Sequence, residues 1–172
     1  NILATGQLYV YPTGAYQYNG SILVPIDTYW YSGSAWSLCC AVYYDAGTIY
    51  SNVGDFLAYK ASGTTAAITK NADNIQFSLT SASGWGYSQY TIDTTYITTL
   101  WFRAKVTAPT MFVGVAPAYN SVTSLVSSNV SETANYVDYS VDLSAVTGSK
   151  YILFGLNSST TRYIYIQKIW GV

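Results

Sequence analysis

Alternation between apolar and polar residues is the feature that most constrains the fold of this chain. Along the segment NIQFSLT (74–80), Ile75, Phe77 and Leu79 share one side, and polar residues occupy the other. Successive residues of a strand point to opposite faces, so a period of two predicts half-buried β-strands. The same period occurs in TLWFRAKV (99–106), YVDYSVDL (136–143), YILFGLN (151–157) and RYIYIQKIWGV (162–172). No segment keeps a helical period for more than two turns.

Many short strands separated by turn residues predict an antiparallel sandwich. From about residue 65 onward the pattern accommodates eight strands, the number in a jelly roll. We therefore predict an all-β protein, an antiparallel jelly-roll-like β-sandwich. It would form a single domain over residues 1–172, with 65–172 as its best-defined module. Residues 1–64 are richer in Tyr, Trp and Gly, and we expect them to add strands to the sandwich or to form a stem against a neighbouring subunit.

The composition points to a neutral, aromatic surface. Charged residues make up 9% of the chain, against about 25% in an average soluble domain, and there are 19 tyrosines. The net charge is −1 and the seven cations are scattered along the sequence, so we expect no nucleic-acid partner and no anionic membrane partner. No apolar run approaches the roughly 20 residues that span a bilayer. Because the chain begins at Asn1, we expect a processed protein or a piece of a longer one.

The residues that usually perform catalysis are scarce. The absence of histidine removes the usual general base and the commonest metal ligand. The adjacent Cys39 and Cys40 cannot supply a tetrahedral zinc shell. On a strand we expect two small buried thiols, and a strained vicinal disulfide is the alternative. Asp138 and Asp142 would lie roughly 13 Å apart on one strand, too far for a glycosidase pair. We predict no enzyme activity, catalytic residue, metal or cofactor.

The stretch Asn71 to Asn74 is the most oxygen-rich short segment of the chain. Such a stretch would suit a calcium ion bound by loop oxygens. Asn and Asp also form local hydrogen bonds that stabilise turns. We predict a turn here and no metal.

Trp85 stands between Gly84 and Gly86 in SASGWGYSQY (81–90). Interior glycines weaken strands, so we do not expect a regular strand here. Three roles for the indole follow: an exposed platform for a ligand, a plug folded back over the sandwich, or a subunit contact. Tyr87 and Gln89 follow on one alternating face and would extend the same platform.

Two further aromatic groups are candidate ligand-binding residues. Trp30 and Tyr31 precede the turn residues 32–34, and Arg162 and Tyr163 lie near Tyr165. The Arg162 group would either bind ligand hydroxyls beside a tyrosine ring or form cross-strand pairs on an outer sheet. Rigid aromatic rings surrounded by amides and hydroxyls suit a neutral glycan, whereas single-stranded nucleic acid needs a cationic groove as well.

Four blocks, at 69–79, 90–106, 141–156 and 163–172, resemble a recurring β-sandwich module of tail and receptor-binding proteins from phages and prophages of Gram-positive gut bacteria. The resemblance implies a jelly roll similar to carbohydrate-binding modules, displayed on a virion tail. It implies a framework role for Asp142 and for Trp170, whose alternation with Ile164 and Ile166 indicates core or edge packing. The matching residues are Lys70, Asn71, Asp73 and Asn74, Ile97 through Phe102, Asp142, Leu143, Ser144, Gly148 and Tyr151, and Lys168, Ile169 and Trp170.

Together these features predict a non-catalytic binding module of a phage tail or receptor-binding protein, located on the virion tail and therefore extracellular. It would recognise a neutral cell-surface polysaccharide through exposed Trp and Tyr. A bacterial surface adhesin with the same sandwich is a variant of this hypothesis. The alternative is a structural tail or baseplate subunit whose aromatic surface forms an oligomer interface, in a trimer or a larger tail assembly.

Overall fold

A computed structural model describes most of the chain. The described backbone comprises residues 8–11, 14–18, 23–26, 28–31, 36–46, 50–60, 66–79, 83–107, 111–157 and 162–172. Side chains are described for residues 41–46, 51–60, 66–79, 84–107, 111–155 and 162–172. Within these ranges no helix is long and apolar enough to cross a membrane.

Strands dominate the described residues. The first seven are β1 (Leu8–Tyr11), β2 (Gly14–Tyr18), β3 (Leu23–Ile26), β4 (Thr28–Tyr31), β5 (Trp36–Asp45), β6 (Tyr50–Ser51) and β7 (Phe56–Lys60). The next ten are β8 (Ala66–Lys70), β9 (Ile75–Leu79), β10 (Ser83–Ser88), β11 (Ile92–Asp93), β12 (Thr99–Val106), β13 (Met111–Ala116), β14 (Val126–Val130), β15 (Val137–Asp142), β16 (Ser149–Asn157) and β17 (Arg162–Gly171). Ten described strands rather than eight thus follow residue 65. One of them, β11, has only two residues and leaves no alternating pattern in the sequence.

Two antiparallel sheets form the sandwich, which confirms the predicted fold class. The smaller sheet has the order β14-β13-β16-β10-β7, with β11 also paired to β16. The larger sheet has the order β15-β12-β17-β5-β4; β6 pairs with β5, β9 pairs with β17, and β8 pairs with β9. From the first part of the chain, β4 to β7 therefore enter the sandwich. Strands β1 to β3 form a sheet of their own, of which β2 and β3 contact β5.

The core lies between the two sheets. Ile75, Phe77 and Leu79 of β9 are each 0% exposed, as the alternation predicts, and the apolar side of β12 is buried in the same way. Phe154 of the smaller sheet contacts Phe77 of the larger sheet, with ring centroids 6.2 Å apart. Apolar burial between the sheets is the main force that stabilises such a sandwich.

A β-bulge reverses the sequence-derived alternation near the end of β17. Ile166 pairs with Ala104 and Lys168 pairs with Arg103, so Gln167 is an extra residue in this strand. Beyond Gln167 the inward positions are therefore odd-numbered, and Trp170 lies on the outer face of the sheet. Trp170 is nevertheless only 5% exposed and stacks on Trp101, with centroids 6.0 Å apart.

Asx side chains hold the turns, as expected. The Asn71 N–H donates to the Asn74 carbonyl at 2.9 Å, and the Asn71 side-chain amide donates to Asn74 Oδ1 at 2.8 Å. After β15, Asp142 Oδ1 accepts the N–H of Ser144 at 2.9 Å, and this bond lowers the pKa of Asp142. The predicted turn at 71–74 is confirmed, and Asp142 stabilises the turn that follows β15.

Candidate functional site

Gly84 and Gly86 lie inside a regular strand, so the expectation that they interrupt it is wrong. β10 pairs with β7 on one side and with β16 on the other. Both glycines face the core, where a Cβ on Gly84 would lie 2.6 Å from Leu79 Cδ1 and a Cβ on Gly86 would lie 2.5 Å from Phe154 Cε2. Glycine is therefore required here for close packing, and Trp85, between them, faces away from the core.

The Trp85 side chain is only 6% exposed, although it lies on the outer side of the smaller sheet. Its ring stacks on Tyr59, with centroids 4.6 Å apart and an interplanar angle of 23°. Its Nε1–H donates to the Tyr119 carbonyl at 2.6 Å. Of the three roles considered for the indole, the exposed platform is therefore wrong, because neighbouring rings cover the indole.

Tyrosine rings surround this buried indole. Tyr87 stacks on Tyr119 at a centroid distance of 4.8 Å and an angle of 25°. Tyr119 in turn meets Tyr151 edge-on at 5.7 Å. Tyr119 is 41% exposed, while Tyr59, Tyr87 and Tyr151 are half-buried. We call the surface formed by Tyr59, Tyr87, Tyr119 and Tyr151 above Trp85 the tyrosine face.

Strand register explains how these rings meet. Tyr59 pairs directly with Trp85 across β7 and β10, and Tyr151 pairs with Ala116 across β16 and β13. The loop 117–125 then brings Tyr119 over the sheet. Tyr59 and Tyr151 alternate with the inward-facing residues of β7 and β16, so the sequence alone could have placed them on the outer face. A loop residue such as Tyr119 has no such pattern around it.

Burial raises the pKa of Tyr87, and the neighbouring hydroxyls of Tyr119 and Tyr151 add to this effect. At neutral pH the Tyr87 hydroxyl therefore carries its proton and can both donate and accept a hydrogen bond.

Gln89 does not extend the tyrosine face. β10 ends at Ser88, and Gln89 lies in the bend that follows. Its side-chain oxygen accepts the Asp55 N–H at 3.1 Å, and its own N–H donates to the Asp55 carbonyl at 2.7 Å. The expectation that Gln89 and Tyr87 form one platform is therefore wrong, because Gln89 is used to hold the turn before β7.

Arg162 and Tyr163 point to opposite sides of the larger sheet. Tyr163 stacks on Tyr165 on the outer face, at a centroid distance of 6.2 Å. The cation beside these rings is Lys105, whose Nζ lies 4.9 Å from the Tyr165 ring. Arg162 has the inward parity of Ile164, so the idea of an Arg162 guanidinium beside the Tyr163 ring is wrong.

Trp30 and Tyr31 lie on β4, where they pair with Ser37 and Trp36 of β5. Their side chains lie outside the described residues. So do the side chains of Cys39 and Cys40.

Cations that are scattered in the sequence gather on the outer face of the larger sheet. Arg103 and Lys168 lie 6.0 and 5.9 Å from the Trp170 ring. Arg103 also binds both carboxylate oxygens of Asp138 at 2.8 Å. Lys168 is 5% exposed and lies 3.3 Å from Asp45 Oδ2. These charges are balanced within the sheet, which indicates a structural role.

Within the described side chains there is no group of three or more His, Cys, Asp or Glu residues placed to hold a metal ion. The tyrosine face has other properties: apolar ring faces, phenol hydroxyls at the ring edges and no charge. Such a surface can bind a flat ligand that is apolar on one face and hydroxylated at its rim.

The two sheets define an antiparallel β-sandwich fold. A scan against models of protein families finds no match, and a search of curated proteins finds no significant one. The solved structures that the chain resembles include carbohydrate-binding modules of family 29. The likeness covers 77% of this chain and 91% of one such module, with a TM-score of 0.57 and 12% identity.

Two of the similar family 29 structures contain a bound sugar. A variant in complex with cellulohexaose matches with a TM-score of 0.57 and 11% identity, over 77% of this chain and 89% of the module. A variant in complex with mannohexaose matches with a TM-score of 0.56 and 14% identity, over the same shares of the two chains. At these identities the likeness establishes the β-sandwich fold.

Proposed function

We propose that this chain is a non-catalytic carbohydrate-binding module that holds a neutral polysaccharide against the tyrosine face. The observation that carries the proposal is the cluster of Tyr87, Tyr119 and Tyr151, supported from below by the buried Trp85. A sugar ring would pack its C–H side on the exposed ring faces, while the phenol hydroxyls would bind its hydroxyl groups. Because stacking holds the rings in place, little side-chain entropy is lost on binding.

Polar side chains on the same side of the smaller sheet as the tyrosine face would give it selectivity. Ser127 and Asn129 are exposed on β14 and pair with Gly114 and Phe112 of β13, so they lie on the same side of the smaller sheet. A hydroxyl and an amide at this edge can donate and accept hydrogen bonds with sugar hydroxyls. Neither group is charged, which favours a neutral glycan.

The similarity to family 29 modules supports a linear polysaccharide as the ligand. Structures of those modules hold cellulohexaose and mannohexaose, and alanine variants at an arginine, a lysine and a tyrosine served to probe their ligand recognition. These two hexasaccharides are therefore the first ligands to test here.

The proposal also places this module on a phage tail or receptor-binding protein, outside the cell, where its ligand would be a host cell-surface polysaccharide. This part rests on the four sequence blocks that resemble such proteins. An assembly of several copies, such as a trimer, would raise the avidity of weak individual sites.

Calorimetric titration with cellulohexaose and mannohexaose tests the proposed function. Tyr119→Ala should weaken binding at least tenfold, equivalent to about 1.4 kcal/mol, because it removes the most exposed ring of the face. Tyr96→Ala is the matched control, since Tyr96 is 62% exposed and lies outside the tyrosine face. Equal affinity for the two variants, or no binding by the wild type, would contradict the proposal.

An oligomer interface is the second candidate for the same surface. Leu57 and Val122 are 42% and 41% exposed, and Leu57 pairs with Tyr87 at the edge of the tyrosine face. Sedimentation velocity distinguishes the two roles. A stable oligomer that Leu57→Ser and Tyr119→Ala dissociate, without any hexasaccharide binding, would favour the structural role.

A further inference from the structure

A cavity of about 270 Å³ opens at one end of the sandwich, away from the tyrosine face. It lies where the turn between β6 and β7 meets the turn between β8 and β9. The lining residues are Tyr44, Ala46, Ser51, Gly54, Phe56, Lys70, Asn71, Ala72 and Ile75.

The cavity has an apolar floor and an aromatic wall. Phe56 and Ile75 are 4% and 0% exposed and separate the cavity from the core. The Tyr44 ring meets Phe56 edge-on at a centroid distance of 5.6 Å. A ligand that enters would therefore contact apolar surface on its inner side.

Polar groups surround the opening. Lys70 Nζ forms an ion pair with Asp55, which leaves further donors on the ammonium group and acceptors on the carboxylate. Ser51 Oγ donates to the Gly54 carbonyl at 2.6 Å and can still accept a hydrogen bond. The opening thus combines charged and neutral hydrogen-bonding groups with no net charge.

A tyrosine and an amide stand behind Gly54. A Cβ on Gly54 would lie 2.7 Å from Gln89 Oε1 and 2.8 Å from Tyr90 Cε2, so both side chains pack directly against this turn. Tyr90 is 57% exposed. The Gly54 turn that lines the cavity therefore packs against a second aromatic ring, besides Tyr44 in the cavity wall.

We propose that this cavity is a second sugar site, which takes a single neutral pyranose at the end of a glycan chain. The inference rests on the proposed function and adds to it a site that binds chain ends, whereas the tyrosine face binds along the chain. The volume lies just below the range of about 300–1,000 Å³ typical of drug-sized ligands, which suits one sugar ring. The balanced Lys70–Asp55 pair favours a neutral ring and offers donors and acceptors for adjacent hydroxyls.

NMR titration with single sugars tests the second site. The probes are D-glucose, D-mannose, D-galactose and N-acetyl-D-glucosamine, added to the ¹⁵N-labelled full chain. We expect at least one of them to shift the backbone amides of Ala46, Gly54 and Ala72, with a dissociation constant on the order of 1 mM, as befits so small a ligand.

A matched pair of variants tests the cavity: one adds a bulky ring inside it, and the other adds the same ring elsewhere. Ala72 is an exposed turn residue that lines the cavity, and Ala145 is an exposed turn residue that does not. Ala72→Phe should weaken sugar binding at least tenfold, while Ala145→Phe should leave the affinity for the sugar unchanged. The amide spectra also report whether each variant is folded. Lys70→Gln removes the ammonium group and should also weaken sugar binding. This variant provides an independent check.

Three results would overturn the second site: no amide shifts with any sugar, shifts at Tyr87 and Tyr151 instead, or an Ala72→Phe variant that binds like the wild type. Failure of the proposed function looks different. Hexasaccharide binding that depends on Tyr119, without cavity shifts, would reject only the second site. Cavity shifts without an effect of Tyr119→Ala would reject only the tyrosine face.

Discussion

At the scale of single residues, Lys168 couples stability to pH. Burial lowers the pKa of its ammonium group from 10.5 to about 8, and this loss of hydration outweighs the nearby Asp45 carboxylate. Between pH 8 and 10.5 the unfolded chain therefore binds more protons than the folded protein. The free energy of unfolding should rise with pH in this window, by at most about 1.4 kcal/mol per pH unit, and the gain is lost as the pH falls through 8.

Urea denaturation at a series of pH values measures this effect. Above pH 10 the rise should stop, because burial and the nearby Asp45 raise the pKa of Tyr44, and ionisation of Tyr44 then favours the unfolded chain. Lys168→Gln has no ammonium group to titrate and should show no rise from pH 8 to 10. A wild-type profile that falls over this range would contradict the assignment.

Trp85 contributes mainly to stability. Trp85→Ala would leave a cavity beneath Tyr59 and remove the bond to the Tyr119 carbonyl, so we expect a loss of about 3–5 kcal/mol in the free energy of unfolding. Trp85→Phe keeps a ring and loses mainly the hydrogen bond, about 1 kcal/mol. Chemical denaturation followed by circular dichroism measures both values. An unchanged stability for Trp85→Ala would mean that the indole is exposed in solution.

At the scale of strands, glycines set how closely β10 and β16 approach each other. A Cβ on Gly155 would lie 2.5 Å from Trp85 Cβ and 2.6 Å from the Gly84 carbonyl. Gly155→Ala should therefore lower the free energy of unfolding by about 1–3 kcal/mol, because backbone must move to admit the methyl group. Ser127→Ala, at an exposed position of the same sheet, should change it by less than about 0.5 kcal/mol. Thermal unfolding of the two variants tests the difference.

Alternation predicts a strand well when each residue faces either the core or solvent. β9 and β12 satisfy this condition, and both were predicted from the sequence. β10 does not, because its inward positions are glycines. They are required by the proximity of the Leu79 and Phe154 side chains in the folded protein, which the sequence pattern does not show. The side of the sheet predicted for Trp170 was also wrong, because no residue next to Gln167 in the sequence marks Gln167 as the bulged residue.

The candidate site was predictable only in part. Trp85 and Tyr87 were found because the local sequence is conspicuous, but Gln89 and Arg162 were placed beside aromatic rings by proximity along the chain. Tyr119 joins the tyrosine face through the loop 117–125, and its role depends on where that loop folds. Patterns in a single sequence predict which residues of a strand share one face. They do not predict which loop covers that face.

At the scale of the whole molecule, the two sheets divide the aromatic residues by role. On the smaller sheet, tyrosines lie over one buried indole, without charged residues among them. On the larger sheet, Trp101 and Trp170 are accompanied by Arg103 and Lys168, whose charges are balanced by Asp138 and Asp45. An aromatic-rich composition thus serves both a neutral surface and a charge-stabilised one.

The position of β17 imposes an order on biosynthesis. This strand pairs with β12 on one side and with β5 and β9 on the other, yet it follows every other described strand in the sequence. Until residues 162–171 are available, β12, β5 and β9 have no common neighbour. The larger sheet therefore closes only when β17 is added, whereas the smaller sheet needs no strand beyond β16.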